Sequence, residues 1–518
     1  MSEYYLRISR ASDLTDKKER FLYRLFEILP GAMSWGTLIL ALLLSWLFPV
    51  FIAFFIILYV AFWFFRSVYF SFHLRDGYKK MKENERKDWI KELDVLSPGS
   101  YSLPVRHWRE IYHLIVVAFY KESLEIIRES FNALDACDYP KEKMIVVLAA
   151  EESAGQAAKE TAIAIEREFG ARFFKFLITF HPASLPGEMA CKASNETWAV
   201  KKVKESILDH LQIPYENVIF SSLDADTVVF PKYFSCVSYY YLTSRNPTRT
   251  SFQPIPLFIN NIWQASSISR VFSFSSTFWH IMNQERPEKL ITFSSHSMAF
   301  KALVDVGFKQ PNVVSDDSRI FWQCFLHYNG DYQVCPIYYP ISMDANCAKT
   351  FWRTTLNIYK QQRRWAYGVG DIAYFLFGFL KNKKIPFHKK FNLGIEVIEG
   401  HWSWATSSIL VFVLGWLPLL LGGHKFSQTL LSYNLPKIVS RILTLGMAGL
   451  MSSAYLALVL LPPKPPEYGR FKYALFALGW LLVPITMIFF TAFPALDAQT
   501  RLMLGKYMGF WPTEKTRK

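Results

Sequence analysis

Long apolar stretches near both ends of this chain limit the folds that it can adopt. Residues 31–48 are almost wholly apolar, Pro49 interrupts them, and residues 50–65 continue apolar as far as Arg66. A helix needs roughly 20 such residues to cross the hydrocarbon core of a bilayer. The stretch is too long for a single bent helix, so we predict two membrane crossings within residues 31–72, with a turn near Pro49.

Three further apolar stretches, at about 402–421, 438–461 and 473–493, predict about three more crossings within residues 400–495. Basic residues that follow the second crossing, and the lysines of the loop 381–390, place the intervening chain in the cytoplasm by the positive-inside rule. An odd number of crossings would put the C-terminus outside, whereas the basic tail favours the inside. Either one stretch is re-entrant or the charge rule fails for this tail, and the sequence leaves both open.

The composition supports a chain with one water-exposed part and one membrane part. Hydrophobic residues make up 51% of the 518 residues, and charged residues still reach 19%. The formal net charge of +15 fits the positive-inside bias and attraction to anionic membrane lipid. No basic helix has base-reading spacing, so nucleic acid is not an expected partner. We predict a multi-pass protein of the plasma (inner) membrane.

Between the two membrane parts, apolar strand patterns alternate with amphipathic helix patterns. Such alternation predicts an α/β domain with a mostly parallel, Rossmann-like sheet that helices cover on both faces. In such sheets, ligands bind at the carboxyl ends of the strands. The predicted strands are 111–119, 144–150, 173–179 and 218–223, and the predicted helices are 122–136, 154–168 and 194–208.

The region after this domain, residues 354–380, is basic in its first half and apolar in its second half. One or two helices at the membrane surface fit this pattern better than a crossing does. The predicted organisation is an N-terminal cytoplasmic segment (1–30), two crossings (31–72), the α/β domain (100–355), the interfacial helical region (354–390), about three crossings (400–495) and a basic tail (496–518).

Asp224 and Asp226 follow the strand that is predicted at 218–223. Two carboxylates delivered by a strand into a loop are a common way to hold a divalent cation, Mg²⁺ or Mn²⁺, against a diphosphate. The alternative is structural, because an aspartate pair at a strand end also caps the turn that follows. Taken alone, this spacing leaves the two interpretations equally open.

A second acidic cluster, Ser315-Asp316-Asp317, precedes an apolar helical pattern. One hypothesis is that Asp317 is a general base, which takes the proton from a weakly nucleophilic hydroxyl group. The structural alternative is that the aspartates cap the helix and interact with its dipole. Both interpretations hold together if Asp316 caps the helix and Asp317 catalyses.

Gln361, Arg364 and Trp365 lie at positions i, i+3 and i+4, which share one face of a helix. An arginine can neutralise a diphosphate with two parallel hydrogen bonds. A tryptophan offers a flat apolar surface on which a sugar ring can stack. The alternative is a basic helix beside the membrane that contacts lipid headgroups, a role that suits Arg363.

In this order, and between membrane flanks, the motifs resemble those of the membrane-integrated family 2 glycosyltransferases, which include cellulose, hyaluronan, chitin and poly-N-acetylglucosamine synthases. The resemblance covers roughly residues 110–370. It implies a GT-A type domain on the cytoplasmic face, a divalent cation, and an inverting transfer from a nucleotide-sugar donor. Asp224 and Asp226 match the family's DxD, Ser315-Asp316-Asp317 stands where the family has T-E-D, and Gln361, Arg364 and Trp365 match QxxRW.

The same resemblance implies roles for residues that carry no signal of their own. Residues 118–122 look like the family's first-strand segment P-x-Y-x-E, which holds the nucleotide base, although Ala118 replaces the proline. Where the second strand usually ends in Asp-Asp-Gly, this chain has the longer side chains of Glu151 and Glu152. The implied donor contacts are Tyr120, Glu122, Glu151, Glu152, Lys192, Asn195 and Asp224; the implied metal ligands are Asp226 and Asp224; the implied base is Asp317; and the implied diphosphate or acceptor contacts are Gln361, Arg364, Trp365 and His296.

The leading expectation is a membrane-bound glycosyltransferase that uses a UDP-linked sugar and extends a polysaccharide or another glycan acceptor. The alternative enzyme makes a single transfer to a polyprenyl phosphate or another lipid, an acceptor that is already ionised and depends less on Asp317. A catalytically inactive membrane scaffold or channel is the non-enzymatic alternative. The joint presence of Asp226, Asp317 and Arg364 disfavours that third possibility.

Overall fold

The computed structural model describes residues 4–469 and 471–511 of the chain. In this part of the chain, an α/β domain lies between the long apolar helices that precede and follow it in sequence. The strands are β1 (Tyr112–Phe119), β2 (Met144–Glu151), β3 (Lys175–His181), β4 (Val218–Asp224), β5 (Val228–Val229), β6 (Thr250–Phe258), β7 (Ser297–Ala299) and β8 (Gln333–Met343). The described strands form one sheet in the order β3-β2-β1-β4-β7-β6-β8-β5.

The sheet is mixed but mostly parallel. Strands β1 to β4 are parallel to their neighbours in the order β3-β2-β1-β4, and β6 is parallel to β8. Strand β7 runs antiparallel to β4 and β6, and the short β5 runs antiparallel to β8. Strands β1 and β2 are almost wholly apolar and buried, as expected for parallel strands between two helix layers. The predicted fold class, an α/β domain with additional long apolar helices, is therefore confirmed.

The register of the sheet brings the carboxyl ends of three strands side by side. Ala118 at the end of β1 pairs with Asp224 at the end of β4. On the other side of β1, Phe119 pairs with Ala150 of β2. Side chains that follow these strands therefore lie along one edge, where ligands of parallel sheets usually bind.

Helices cover both faces of the sheet, and further helices precede and follow the α/β domain in the chain. They are α1 (Lys17–Leu47), α2 (Pro49–Arg86), α3 (Trp89–Val95), α4 (Leu124–Asp135), α5 (Gln156–Phe169), α6 (Lys192–Val203), α7 (Tyr233–Thr243), α8 (Ser267–Gln284), α9 (Phe300–Asp305), α10 (Asp316–His327), α11 (Phe351–Ala366), α12 (Gly370–Lys381), α13 (Phe387–Val413), α14 (Leu417–Leu421), α15 (Gly423–Ser427), α16 (Leu430–Val459), α17 (Phe471–Gly479), α18 (Val483–Met487) and α19 (Phe493–Met503).

The elements predicted between residues 111 and 223 agree with the structure to within about two residues at most ends. The four predicted strands are β1 to β4, and the first two predicted helices are α4 and α5. The helix predicted at 194–208 is found as α6, followed by a single π-helical turn, Lys204–Leu208. The region predicted at 354–380 as one or two helices is α11 and α12, which a short turn at Tyr367–Val369 separates.

Within the described residues, five helices are long and apolar enough to cross a membrane: Lys17–Leu47, Pro49–Arg86, Phe387–Leu421, Leu430–Val459 and Phe471–Met503. The break between the first two lies at Phe48, as the sequence predicts. Pro49 is the first residue of α2, a position where proline costs no helical hydrogen bond. The division of the chain into cytoplasmic and membrane parts stays a prediction.

Helix α12 differs from the surface helix that its composition suggests. Its apolar side chains are largely buried, and the helix packs against α1 and α10. Its one acidic residue, Asp371, is also buried and accepts a hydrogen bond from Arg319 of α10 at 2.7 Å. The apolar half of the region 354–380 is therefore covered by protein rather than exposed as a surface for lipid.

Candidate active site

Asp224 is the last residue of β4 and is partly exposed. Its Oδ1 accepts a hydrogen bond from Lys192 Nζ at 2.6 Å, and its Oδ2 accepts one from Ser294 Oγ at 2.5 Å. Lys192 is the first residue of α6, so this ion pair joins the end of the strand to the start of a helix. Burial lowers the pKa of Lys192, but the carboxylates of Asp224 and Asp317 outweigh burial and hold the pKa well above its usual value.

Asp226 has a different environment, because β4 ends two residues before it. Its side chain is 1% exposed, and its Oδ2 accepts a hydrogen bond from the backbone amide of Asp344 at 2.9 Å. Asn260 Nδ2 donates to the carbonyl oxygen of Asp226 at 3.0 Å. The strand end therefore separates the two aspartates: Asp224 pairs with α6, and Asp226 contacts the segment that follows β8.

The donor set around this strand end suits a hard divalent cation that also binds phosphate. Asp226 and Asp344 are both buried and are joined by the hydrogen bond from the Asp344 amide, and Asp224 stands two residues before Asp226 in the chain. Among residues 4–469 and 471–511, however, no group of three or more His, Cys, Asp or Glu side chains is arranged as a complete metal site. Mg²⁺ commonly binds through one or two carboxylates, with substrate phosphates and water as the other ligands. The residues present fit that kind of site.

Lys309 is the centre of a buried charge network that the sequence did not reveal. Its side chain is 2% exposed, and its Nζ lies 2.6 Å from Glu196 Oε2, 3.0 Å from Asp316 Oδ2 and 3.3 Å from Asp317 Oδ1. Glu196 Oε1 also accepts a hydrogen bond from Ser222 of β4 at 2.6 Å. One ammonium group thus holds three carboxylates from α6 and α10 beside the central strand.

The pKa values of the two aspartates of α10 are shifted in opposite directions. Burial, and then repulsion from Asp317, raise the pKa of Asp316 to about 6. Burial also acts to raise the pKa of Asp317, but Lys192 and Lys309 outweigh it and hold that pKa below its usual value. The Asp317 side chain is 22% exposed. Asp317 is therefore ionised at neutral pH and accessible.

The expectation that Asp316 caps α10 is wrong. Ser315 occupies the N-cap position, where its side chain makes no capping hydrogen bond, and Asp316 is the first residue of the helix. The Asp316 carboxylate instead accepts a hydrogen bond from Lys309. The physical reason is the buried ammonium group, which attracts a carboxylate more strongly than a partly solvated backbone amide does.

His296 lies beside Asp317 but inside the protein. The side chain is completely buried, its Nδ1 is 2.9 Å from the carbonyl oxygen of Phe293, and the same nitrogen is 3.9 Å from Asp317 Oδ1. Burial lowers the pKa of His296 to about 3, so its ring is neutral and its Nδ1 donates to that carbonyl. The ring therefore lies next to Asp317, and its predicted contact with an acceptor stays a prediction.

Helix α11 brings the QxxRW residues to the same region. Gln361 Oε1 accepts a hydrogen bond from Asn346 Nδ2 at 3.3 Å. Trp365 packs between Phe258 and Phe272, with ring centroids 6.1 and 6.4 Å away. A small hollow lies here, lined by Phe258, Ser269, Phe272, Ser273, Ser276, Asp344, Asn346, Gln361 and Trp365. It connects the QxxRW motif with Asp344, the neighbour of Asp226.

The carboxylates of three aspartates act electrostatically on Arg364. Burial lowers the pKa of its guanidinium group, and the carboxylates of Asp224, Asp316 and Asp317 oppose that shift. Its guanidinium carbon also lies 5.0 Å from the ring centre of Phe510. Arg363 instead forms an ion pair with Asp497 at 2.9 Å, and its suggested contact with lipid headgroups stays a prediction.

The other predicted donor contacts lie near the ends of β1 and β2 and on α6, and those described here bind protein groups in this structure. Glu122 accepts hydrogen bonds from the backbone amides of Tyr120 and Lys121, at 2.7 and 3.2 Å. Glu152 accepts one from the Ala183 amide at 3.3 Å, and Asn195 Nδ2 donates to the carbonyl oxygen of Ala149 at 2.9 Å. Their roles in donor binding stay predictions.

Glu151 belongs to a chain of three ionisable groups at the end of β2 and β3. Its Oε2 lies 3.0 Å from His181 Nδ1, and Glu188 Oε2 lies 2.8 Å from His181 Nε2. Burial raises the pKa of Glu151. The longer glutamate side chain thus reaches the adjacent strand, where the imidazole ring lies between two carboxyl groups.

No protein-family model matches this sequence, and the comparison with curated proteins gives no match. Several solved structures are similar in fold. A mannosyltransferase from Pyrobaculum calidifontis, in complex with GDP-Man and Mn²⁺, is 14% identical, with a TM-score of 0.43 over 88% of this chain and 99% of that chain. S. aureus TarS 1-349 with UDP-GlcNAc is 12% identical, with a TM-score of 0.32 over 65% and 91% of the two chains. GalNAc-T7 with UDP, GalNAc and Mn²⁺ is 8% identical, with a TM-score of 0.35 over 56% and 58%. Likeness at this level does not assign an activity to this chain.

Proposed function

We propose that this protein is a membrane-bound glycosyltransferase that moves a sugar from a nucleotide-sugar donor to a hydroxyl group of a growing glycan. The carboxylate of Asp317 carries this proposal, because Lys192 and Lys309 hold it in the ionised form while 22% of the side chain stays exposed. A general base must be ionised and accessible to the acceptor. Asp317 meets both conditions near the strand end that carries Asp224.

Groups that suit a diphosphate lie next to this base. Asp224 and Asp226 would hold a divalent cation, which when bound balances the charge of the leaving diphosphate. Lys192, 2.6 Å from Asp224, and Arg364 supply two further positive charges to the same region. A planar guanidinium group can bind phosphate oxygens with two hydrogen bonds. Tyr120, Glu151 at the end of β2 and Glu152 directly after it are the proposed contacts of the nucleotide base.

In the proposed reaction, Asp317 accepts the proton of the acceptor hydroxyl as its oxygen forms a bond to the anomeric carbon. The bond between that carbon and the diphosphate breaks, and the nucleoside diphosphate leaves with the electron pair. A single displacement of this kind inverts the configuration at the anomeric carbon. Trp365 offers its ring to the sugar, and Gln361 lines the hollow beside it.

Release of nucleoside diphosphate by the full-length protein in detergent tests this function. The donors are UDP-glucose, UDP-N-acetylglucosamine, UDP-glucuronate and GDP-mannose, each with Mg²⁺, with Mn²⁺ and with EDTA. We expect one donor to be turned over in a metal-dependent manner, and Asp226→Ala to abolish that turnover. Asp331→Ala is the matched control, because Asp331 forms an exposed ion pair with Arg249 away from the site. No turnover of any donor with an oligosaccharide or lipid acceptor present would contradict the proposal and favour a membrane scaffold or channel.

A polyprenyl-phosphate or other lipid acceptor would change the role of Asp317. A phosphate acceptor is already ionised and needs no base, so an Asp317→Asn variant would keep most of its rate. A hydroxyl acceptor needs the base, so the same variant would lose most of it. The ion pairs that keep Asp317 ionised favour the hydroxyl acceptor.

A further inference from the structure

The bundle of long helices has two ends that contacts identify. At the end far from the α/β domain, a methyl group built on Gly422 would lie 2.8 Å from Pro49 Cβ, so the turn between α1 and α2 lies against the end of α14. At the near end, Lys80 and Asn84 of α2 bind the α/β domain through Glu285 and the carbonyl oxygen of Ile337. A helix that crosses the membrane must connect these two ends.

The segment Phe471–Met503 begins at the near end. The ring of Tyr473 lies 5.5 Å from that of Trp263 in the α/β domain, and the ring of Phe476 lies 5.0 Å from it. One turn later, Trp480 stacks on Phe278 of α8 at 5.7 Å. The first ten residues of the segment therefore lie against the α/β domain.

The same segment also ends at the near end. Asp497 forms an ion pair with Arg363 of α11 at 2.9 Å. Arg24, in the first two turns of α1, donates to the carbonyl oxygen of Leu502 at 2.8 Å. Beyond the helix, the backbone amide of Met508 donates to Tyr367 at 3.2 Å. The segment Phe471–Met503 therefore starts and finishes beside the α/β domain, and it does not connect the two ends of the helix bundle.

Breaks within the segment allow it to follow the surface of the protein. A 3-10 turn at Trp480–Leu482 and a π turn at Ile488–Ala492 interrupt the α-helix, and Pro484 and Pro494 follow or adjoin these breaks. Prolines and π turns are the usual causes of helix bends. Between the breaks, α18 and the π turn contact α8, α11 and α13.

The face of this segment that points away from the protein is an apolar stripe, spaced at three or four residues as one helix face requires. Its side chains are between 40% and 72% exposed. They are Phe471, Leu475, Leu478, Leu481, Ile485, Phe489 and Phe493. Basic residues accompany the stripe, with Lys472 at its start and Arg501 and Lys506 just beyond its end. An apolar face bordered by basic residues matches a helix that lies in one leaflet of an anionic membrane.

We propose that Phe471–Met503 does not cross the membrane but lies in the leaflet on the side of the α/β domain, with its apolar stripe against lipid. Of the five long helices in the described residues, the other four then cross. The described part of the chain then begins and ends on the side of the α/β domain, which agrees with the basic residues Arg501 and Lys506. Four crossings remove the conflict between an odd number of crossings and the basic residues near the C-terminus. Of the two explanations that the sequence leaves open, the proposal selects the one in which one apolar stretch does not cross. This inference is independent of the sugar-transfer proposal.

Depth measurements with spin labels test the inference on the full-length protein in vesicles of phosphatidylcholine and phosphatidylglycerol. Leu478→Cys, Ile485→Cys and Phe489→Cys place labels along the stripe, and Tyr433→Cys, Leu445→Cys and Tyr455→Cys place them along exposed positions of α16. The six native cysteines are buried except Cys335, which is half-buried and is replaced by serine. We expect the three stripe labels to lie at one similar, shallow depth. The three α16 labels should instead lie at different depths, with Leu445→Cys nearest the bilayer centre. A stripe label at the bilayer centre, with its neighbours at shallower depths on either side, would overturn the proposal.

A second measurement needs no substitution in the helix. A reporter that is active on only one side of the membrane is fused after Lys518, and in separate proteins inserted after Lys464 and after His424. We expect the first two reporters to agree with each other and to differ from the third, because residues 422–427 lie at the far end. Agreement between the reporters at Lys518 and His424 would refute the proposal, whatever the spin labels show.

Discussion

Replacement of Lys309 by methionine tests the charge network beneath the candidate base. The substitution keeps the length of the side chain and removes the ammonium group that holds Glu196, Asp316 and Asp317. Asp316 can become protonated, because its pKa is already raised to about 6. Glu196, at 1% exposure, is then left as a buried carboxylate without its main cation.

The expected loss of stability follows from that burial. Removing one partner of a buried ion pair costs about 3–5 kcal/mol, because the remaining charge is no longer compensated. For a folding unit of about 150–250 residues, each kcal/mol shifts the midpoint of thermal unfolding by about 2–4 °C, so a shift of about 6–20 °C is expected. The matched control is Lys301→Met, which removes a partly exposed ion pair with Asp305 worth at most about 1 kcal/mol.

Tryptophan fluorescence of the detergent-solubilised protein measures the apparent Tm. We expect Lys309→Met to melt well below both the wild type and Lys301→Met. The double variant Lys309→Met/Glu196→Gln should melt above Lys309→Met, because it removes the uncompensated charge. A Lys309→Met midpoint close to that of Lys301→Met, or a double variant less stable than the single one, would refute the reasoning.

Two further predictions concern Arg364 and His113. Arg364→Lys keeps the charge but loses bidentate binding of phosphate, so kcat/KM for the donor should fall about 10- to 100-fold, whereas Arg363→Lys, whose partner is Asp497, should change it little. Equal effects of the two substitutions would contradict this placement of Arg364. Burial lowers the pKa of His113 to about 3, so below pH 6.5 the unfolded chain binds a proton that the folded chain does not, and stability falls by up to about 1.4 kcal/mol per pH unit. The apparent Tm of His113→Gln should therefore fall less between pH 6.5 and about pH 5 than that of the wild type, and parallel pH profiles would exclude this cause.

Strands β1 to β4 could be predicted because they are continuous apolar runs between turn residues. Strands β5 to β8 could not be predicted in this way. Strands β5 and β7 have only two and three residues. Strand β8 contains Pro336 and Pro340, and β6 contains Pro254, beside which its register with β8 shifts. Proline argues against a strand in a sequence pattern, because it cannot donate to the ladder.

The candidate site shows the same division. Aspartates that follow apolar strands carry a positional signal, and so does the i, i+3, i+4 spacing of Gln361, Arg364 and Trp365. Lys309 carries none, because only the tertiary fold brings it between α6 and α10. The spacing of Lys192 and Glu196, four residues apart on one helix face, was the available sign of the network. The course of Phe471–Met503 likewise depends on contacts with Trp263, Arg363 and Arg24, which composition does not encode.

The rate of nucleoside diphosphate release by Asp317→Asn, measured beside the wild type and Asp331→Asn, tests the central claim most directly. The substitution keeps the shape of the side chain and removes its capacity to accept a proton. If Asp317 is the general base for a hydroxyl acceptor, its loss should lower kcat about 10²- to 10⁴-fold with little change in the KM for the donor. Asp331→Asn should match the wild type. An Asp317→Asn variant that keeps most of its kcat would contradict the account.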